Sequence, residues 1–79
     1  MQRTNLKKAR EDLDLSQGEL ANKLGIAEIS VRSYENGTRN PSNTVVKNYV
    51  DFFERDPREL FPDIFLPLFG TKSIKNTSK

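Results

Sequence analysis

The sequence predicts an all-α domain built from five short helices. Apolar residues recur at helical spacing in successive segments, and residues that favour turns separate these segments. No segment keeps the period-two alternation of a half-buried strand. The chain has 79 residues, enough for one modest hydrophobic core. We therefore expect a single small helical domain over residues 1–61, followed by an extension.

The first predicted helix lies close to the N-terminus. Three apolar residues recur there at helical spacing: Leu6, Ala9 and Leu13. They predict a helix over about 5–13, and either Thr4 or Asn5 is suited to be its N-cap.

The second predicted helix has a defined start and end. Ser16 and Glu19 form a Ser-x-x-Glu capping box, in which each side chain accepts a hydrogen bond from the other residue's free backbone N–H. The helix therefore begins at Gln17. Its apolar stripe has three members: Leu20, Ala21 and Leu24. Gly25 follows where a helix ends in a left-handed residue, a conformation that costs glycine little.

The third predicted helix covers about 28–36 and ends at Gly37, with Val31 and Tyr34 facing inward alongside Ile26. Two short helices joined by a tight glycine turn form either an αα-hairpin or a helix-turn-helix. A small residue four positions before the turn glycine lets the two helices approach closely, which favours the helix-turn-helix. One face of the third helix is then held away from the core.

The fourth predicted helix follows the loop GTRNPS. The proline after Asn40 disfavours helix at that position, and Ser42 can cap the segment that follows. Five apolar residues then recur at helical spacing: Val45, Val46, Tyr49, Val50 and Phe53. They predict an amphipathic helix over about 43–54.

The fifth predicted helix starts at the sequence DPREL. Asp56 is suited to the N-cap, with Pro57 at the first helical position and Glu59 completing a capping box over about 57–61. Residues 62–70 form an apolar extension, which is either a dimerisation element or a cap on the core. Residues 71–79 are polar and carry three lysines, so we expect a disordered basic tail.

The composition excludes several kinds of function. The chain has no cysteine and no histidine, which rules out disulfides, thiolate metal sites and catalysis by a histidine base. We expect no metal, no cofactor, no small-molecule ligand and no enzyme activity. The formal net charge is +2, yet residues 1–70 hold ten basic and eleven acidic residues, so bulk charge is weak evidence for a nucleic-acid partner. No apolar run is long enough to cross a bilayer, and we expect a cytoplasmic protein without a membrane partner.

Several spaced motifs resemble one family. They are Arg10 in the first helix, LSQGELANKLGI across the first turn glycine, YENGTRNPS after the third helix, and DPRELF near the end. In this order they resemble the phage Cro and lambda-type repressor DNA-binding domains, the Xre family. The resemblance covers about residues 6–61. It implies a lambda-repressor-like fold with the helix-turn-helix at the second and third helices, and double-stranded DNA as the partner.

The resemblance places the outward face of the third helix in the DNA major groove. Four residues there would meet base edges or the adjoining backbone: Glu28, Ile29, Arg32 and Ser33. Arg32 would pair with guanine, or it is a solvated surface arginine. Ile29 would contact a thymine methyl, or it belongs to the core. Glu28 departs from the neutral residue frequent in the family. It either accepts a hydrogen bond from a cytosine amino group or holds Arg32 by an i,i+4 ion pair.

The resemblance also implies contacts to the sugar-phosphate backbone, which position a protein without reading sequence. Five residues are assigned to them: Gln17, Asn36, Thr38, Arg39 and Asn40. Gln17 lies at a helix N-terminus, where free N–H groups and the helix dipole favour a phosphate. Gly18, in the same turn, costs about 0.5 to 1 kcal/mol relative to alanine, and close approach of the DNA backbone is one reason for it. Arg10 and Glu35 match a structural salt bridge between the first and third helices of the family.

The family usually binds DNA as a dimer, because one recognition helix reads only a few base pairs and two half-sites lie about one helical turn apart. Candidates for the dimer contact are the apolar residues near the C-terminus: Leu60, Phe61, Ile64, Phe65, Leu66 and Phe69. The alternative is that they fold back on their own core.

Two functional hypotheses follow. The first is a sequence-specific regulator, a repressor of the phage, plasmid or mobile-element type that binds an inverted repeat as a homodimer. The alternative is an antitoxin or adaptor whose apolar C-terminal segment chiefly binds a regulatory protein partner.

Overall fold

Six helices make up the described part of the chain. The computed structural model describes residues 2–69, and of 66–69 it describes the backbone alone. The helices are α1 (Thr4–Asp12), α2 (Gln17–Leu24), α3 (Glu28–Asn36), α4 (Asn43–Phe53), α5 (Pro57–Leu60) and α6 (Pro62–Phe69). The predicted all-α fold is confirmed. Among the described residues, no helix is long and apolar enough to cross a membrane.

The helix-turn-helix, α2 and α3, has the bounds that the sequence predicts. The N–H of Glu19 donates to Ser16 Oγ at 3.0 Å, and the N–H of Ser16 donates to the Glu19 carboxylate at 2.8 Å, which confirms the capping box. Gly25 follows α2 with a φ of 71°, and Gly37 follows α3 with a φ of 80°. Both lie in the left-handed region, where glycine is the least strained residue. Local turn chemistry therefore sets the ends of both helices.

The start of α1 differs from the prediction. The helix begins at Thr4, so its N-cap is Arg3 and not Thr4 or Asn5. At the other end, Leu13 is 51% exposed, while Leu15 packs against the core. The side chain of Arg3 makes its contacts with distant parts of the chain.

Side chains cap α4 and α5, one as predicted and one differently. Ser42 Oγ accepts a hydrogen bond from the first turn of α4 at 3.3 Å. At α5, the N–H of Arg58 donates to the Asp56 carboxylate at 2.8 Å, and the predicted capping box with Glu59 is wrong. Glu59 instead accepts a hydrogen bond from Arg55 at 3.2 Å. Hydrogen bonds from the Arg58 side chain and backbone lower the pKa of Asp56 to about 2, so the cap stays ionised at neutral pH.

The core is a single cluster to which α1 to α5 all contribute. Its buried apolar members are Leu6, Ala9, Leu20, Ala21, Leu24, Val31, Tyr34, Val46, Tyr49, Leu60 and Phe61. Tyr49 meets Tyr34 and Phe61 edge to face and stacks on Phe53. Its hydroxyl is buried without a hydrogen-bond partner among the described residues, and burial raises its pKa. This cluster holds the inner face of α3 and leaves the other face open.

Two residues predicted at a dimer contact belong to this core. Leu60 and Phe61 have no exposed surface, because they lie under the helices of their own chain. Their assignment to a dimer contact is corrected accordingly, since a side chain buried within one chain offers no surface to a second copy.

A sixth helix lies in the segment predicted only as an apolar extension. Pro62 occupies its first position and Asp63 its first turn, and both residues favour a helix N-terminus. Ile64 and Phe65 are half-buried against the core, so the first half of α6 lies on its own chain. Two further predictions concern parts that the structure does not describe. The side chains of the dimer residues Leu66 and Phe69 are not described, and the basic tail over 71–79 lies outside the described residues.

Candidate nucleic-acid interface

The outward face of α3 presents a strip of side chains to solvent. Four residues line it: Glu28, Ile29, Arg32 and Ser33. Val31 and Tyr34 point into the core and are 0% and 5% exposed, whereas Ile29 is 55% exposed. The core alternative for Ile29 is therefore wrong, and the residues predicted to meet base edges share one open side of the helix.

Glu28 lies between α3 and α2. Its Oε2 is 3.8 Å from Nη2 of Arg32, in a loose ion pair whose side chains are 56% and 51% exposed. Its Oε1 reaches the first turn of α2, where a Cβ added at Gly18 would lie 3.2 Å away. Glycine at this position leaves room for a carboxylate beside a helix N-terminus, where the helix dipole favours negative charge. A Cβ at position 18 would therefore press on the Glu28 carboxylate, which is a contact within the chain.

Gly18→Ala is expected to stabilise this protein less than alanine usually stabilises a helix. The substitution normally raises the free energy of unfolding by about 0.5 to 1 kcal/mol, but here the added methyl displaces the Glu28 carboxylate. We expect the full gain in a Glu28→Ala background. Urea unfolding of the wild type, both single variants and the double variant measures the two gains. Equal gains in the two backgrounds would contradict the contact.

The loop after α3 is held by short contacts to the last turns of that helix. The N–H and the hydroxyl of Thr38 both donate to the carbonyl of Ser33, at 3.0 and 3.3 Å. The guanidinium of Arg39 lies over the ring of Tyr34, 5.4 Å from its centroid. The residues of this loop predicted to meet the DNA backbone are exposed, beside the open face of α3.

Arg10 and Glu35 form a buried ion pair between α1 and α3. Nε of Arg10 donates to Oε2 of Glu35 at 2.6 Å, and Nη2 donates to Oε1 at 3.1 Å. The two residues are 8% and 3% exposed. Arg10 also donates from Nη1 to the carbonyl of Leu15 at 2.7 Å. The hydrogen bonds that Arg10 donates to the Glu35 carboxylate raise the pKa of Arg10, so the guanidinium stays charged.

Gln17 joins this ion pair. Its Nε2 donates to Oε1 of Glu35 at 3.1 Å, so the amide lies against the buried carboxylate in the free chain. Gln17 and Asn36 line one open cleft of about 360 Å³, and its charged lining residues are Arg3, Lys7, Lys8, Glu11 and Glu35. Lysines beside the first turn of a helix suit a phosphate. The phosphate contact of Gln17 stays a prediction. Lys7 and Lys8 are further candidates for a phosphate contact at this cleft.

Arg3 is a residue of this region that sequence reasoning missed. It is 3% exposed, and its guanidinium donates to the carbonyls of Tyr34 and Arg39 at 2.7 and 2.8 Å. It also donates to the Asn40 side chain and to the Asp63 carboxylate. These partners lie 31 to 60 residues away along the chain, so no local spacing could have indicated them.

Comparison with known proteins agrees with this geometry. A family model described as Helix-turn-helix matches residues 6–60, which is more than half of the chain. No curated protein and no solved structure gives a significant match. The matched range contains α2, α3 and the loop after α3, the elements that carry the open face described above.

Proposed function

Because the chain belongs to the helix-turn-helix family of the Xre and lambda-repressor type, we propose that it represses transcription by binding an inverted-repeat operator as a homodimer. Membership makes the chain a DNA-binding helix-turn-helix regulator. Repression, the operator and the dimer are the proposal.

The open face of α3 is the observation that supports the proposal. It carries an arginine and an isoleucine, each more than half exposed, on a helix of nine residues whose other side is fixed in the core. The major groove of B-DNA admits an α-helix of this kind. There Arg32 can donate two hydrogen bonds to guanine, and Ile29 can contact a thymine methyl.

Contacts to phosphates are proposed at two places beside α3. One is the first turn of α2 with the cleft beside Lys7 and Lys8. The other is the loop after α3, whose exposed residues include Arg39 and Asn40. These contacts would fix the register of α3 in the groove, and they make the affinity fall steeply with salt.

A homodimer is proposed because a single α3 reads too few base pairs to define an operator. The buried Leu60 and Phe61 cannot take part in the contact. The proposed contact therefore comes from α6 beyond Ile64, where the sequence offers Leu66 and Phe69. Contact between a second copy of the chain and α6 would set the distance between the α3 helices of the two copies.

Selection of binding sites from a random duplex library is expected to recover an inverted repeat. The two half-sites should lie about one helical turn apart, because the dimer places two copies of α3 in successive major grooves. The measurement uses purified protein near physiological salt, and circular dichroism confirms that the protein is folded. An enriched single half-site would contradict the dimer but keep the specific regulator. If folded protein enriches no sequence, the proposal fails and the antitoxin or adaptor alternative gains weight.

A further inference from the structure

We propose that Arg3 is a positioning residue for DNA-backbone binding, and that Asp63 of α6 holds its guanidinium in place. Arg3 is too deeply buried to touch DNA itself. Its effect would pass through the backbone loop, defined here as residues 37–40. This inference rests on the proposed function, because it concerns how that loop meets a phosphate.

Arg3 first caps the C-terminal end of α3. Its backbone N–H donates to the carbonyl of Glu35 at 2.8 Å, and Nη1 donates to the carbonyl of Tyr34 at 2.7 Å. Carbonyls in the last turn of a helix have no partner within the helix, and the negative end of the helix dipole favours a cation there. Arg3 therefore fixes the point at which the backbone loop leaves the recognition helix.

Arg3 next fixes the loop itself. Nη1 donates to the carbonyl of Arg39 at 2.8 Å, and Nη2 donates to Oδ1 of Asn40. An arginine can only donate hydrogen bonds, so it must face the amide oxygen of Asn40. The amide N–H₂ group is then turned away from Arg3, with Asn40 itself exposed. This orientation presents a donor to a phosphate instead of an acceptor that would repel it.

Asp63 supplies the charge that a buried guanidinium needs. Both of its carboxylate oxygens lie 3.1 Å from Nε of Arg3, and the Asp63 side chain is 21% exposed. The guanidinium also lies 5.8 Å from the ring centroid of Phe61. A buried charge without its partner is strongly destabilising, so the contact with Asp63 is needed to keep the Arg3 guanidinium beside the loop. The segment predicted as an extension thereby becomes part of the support of the DNA-binding surface.

A double-mutant cycle between Arg3→Lys and Asn40→Ala tests this inference. Lysine keeps the positive charge but cannot reach all of the arginine's acceptors at once. Each single variant should weaken binding to a random-sequence duplex about tenfold, the loss expected for one hydrogen bond to a charged group. The double variant should be no weaker than either single variant, because both changes remove the same contact. Binding is measured at low temperature, where circular dichroism shows each variant to be folded.

Two further variants separate positioning from stability and charge. Asn5→Ala removes a hydrogen bond from the N-terminal segment to the carbonyl of Glu59, at 3.2 Å, and leaves the loop untouched. It should leave DNA affinity unchanged. Asp63→Asn removes a negative charge, which would by itself strengthen binding to DNA. We expect Asp63→Asn to weaken binding by at least twofold, because Arg3 loses its partner.

The outcomes distinguish this inference from the proposed function. If the wild type binds the duplex but the effects of Arg3→Lys and Asn40→Ala multiply, Arg3 does not act through Asn40 and the inference is overturned. Stronger binding by Asp63→Asn would overturn the part assigned to α6. If the folded wild type binds no duplex at all, the proposed function fails, and this inference fails with it.

Discussion

Glu35→Ala is expected to lower the free energy of unfolding by about 3 to 5 kcal/mol, because it leaves the Arg10 guanidinium in the core without its carboxylate. Arg10 is 8% exposed, so its guanidinium has little contact with water in the folded protein. The substitution also removes the acceptor of the Gln17 amide. A domain of 79 residues has a total stability of about 4 to 12 kcal/mol. The loss is therefore a large part of the total stability, and urea titration at low temperature measures it.

An exposed ion pair of similar length provides the matched control. Nζ of Lys47 lies 2.8 Å from Oδ2 of Asp51, but the two side chains are 75% and 61% exposed. Asp51→Ala should change the stability little, since water replaces the lost partner. Equal losses for Glu35→Ala and Asp51→Ala would contradict an explanation by burial.

A double variant tests whether the unpaired charge is the cause. Arg10→Met combined with Glu35→Leu replaces both charges with apolar side chains of similar size. It should be more stable than Glu35→Ala, because it leaves no unpaired charge between α1 and α3. If it is as unstable as Glu35→Ala, the unpaired guanidinium is not the reason for the loss.

The bounds of α2 and α3 could be predicted because each depends on residues within a few positions of the helix end. The capping box of Ser16 and Glu19 and the glycine at 25 act through their own turns of chain. Periodicity then shows which side chains of α3 face inward, since Val31 and Tyr34 lie one turn apart. The open face of the candidate site follows from the same pattern.

The support of the site could not be predicted, because its contacts join distant segments. Arg3 meets α3, the backbone loop and α6, and in the sequence it is only one charge near the N-terminus. The role of the apolar extension is ambiguous in the sequence for the same reason. Ile64 and Phe65 pack against the core, and Phe65 meets the ring of Phe61. Whether the core has room for them depends on how the other helices pack, and a local sequence pattern does not show this.

A competing partner explains the capping box that failed at α5. Glu59 lies four residues after Arg55 on the chain, and Arg55 Nη1 donates to its carboxylate at 3.2 Å. The Asp56 cap is meanwhile used by both the backbone and the side chain of Arg58. Charged neighbours thus override a sequence signal that concerns only the cap and the third helical position.

Arg32→Ala is expected to lose discrimination at one or two base positions of the selected site, by about 1 to 3 kcal/mol per position. The side chain is 51% exposed on the open face of α3, and its only ion pair within the described residues is the 3.8 Å contact with Glu28. It is therefore available to donate two hydrogen bonds to a guanine. Binding to the selected operator and to single-base variants of it measures the loss.

Lys23→Ala is the charge-matched control for Arg32→Ala. Lys23 is exposed in the last turn of α2, where it lies beside Asn48 and Asp51 of α4, and its loss removes the same positive charge. It should change affinity for all sequences alike. If Arg32→Ala also weakens all sequences alike, Arg32 contacts only phosphate and the assignment to a base edge is wrong.

Glu28 either contacts a base itself or holds Arg32 in place. The base pair at which Glu28→Ala changes the binding preference distinguishes these two roles. A carboxylate that accepts a hydrogen bond from cytosine gives its own base pair a preference, which Glu28→Ala removes there. A carboxylate that only holds Arg32 gives no such preference, and its removal frees Arg32 to move. Because Oε2 is 3.8 Å from Arg32 and Oε1 lies against the first turn of α2, we expect the second result. Glu28→Ala should then change the same base position as Arg32→Ala, whereas a change at a different base pair would show that Glu28 contacts DNA itself.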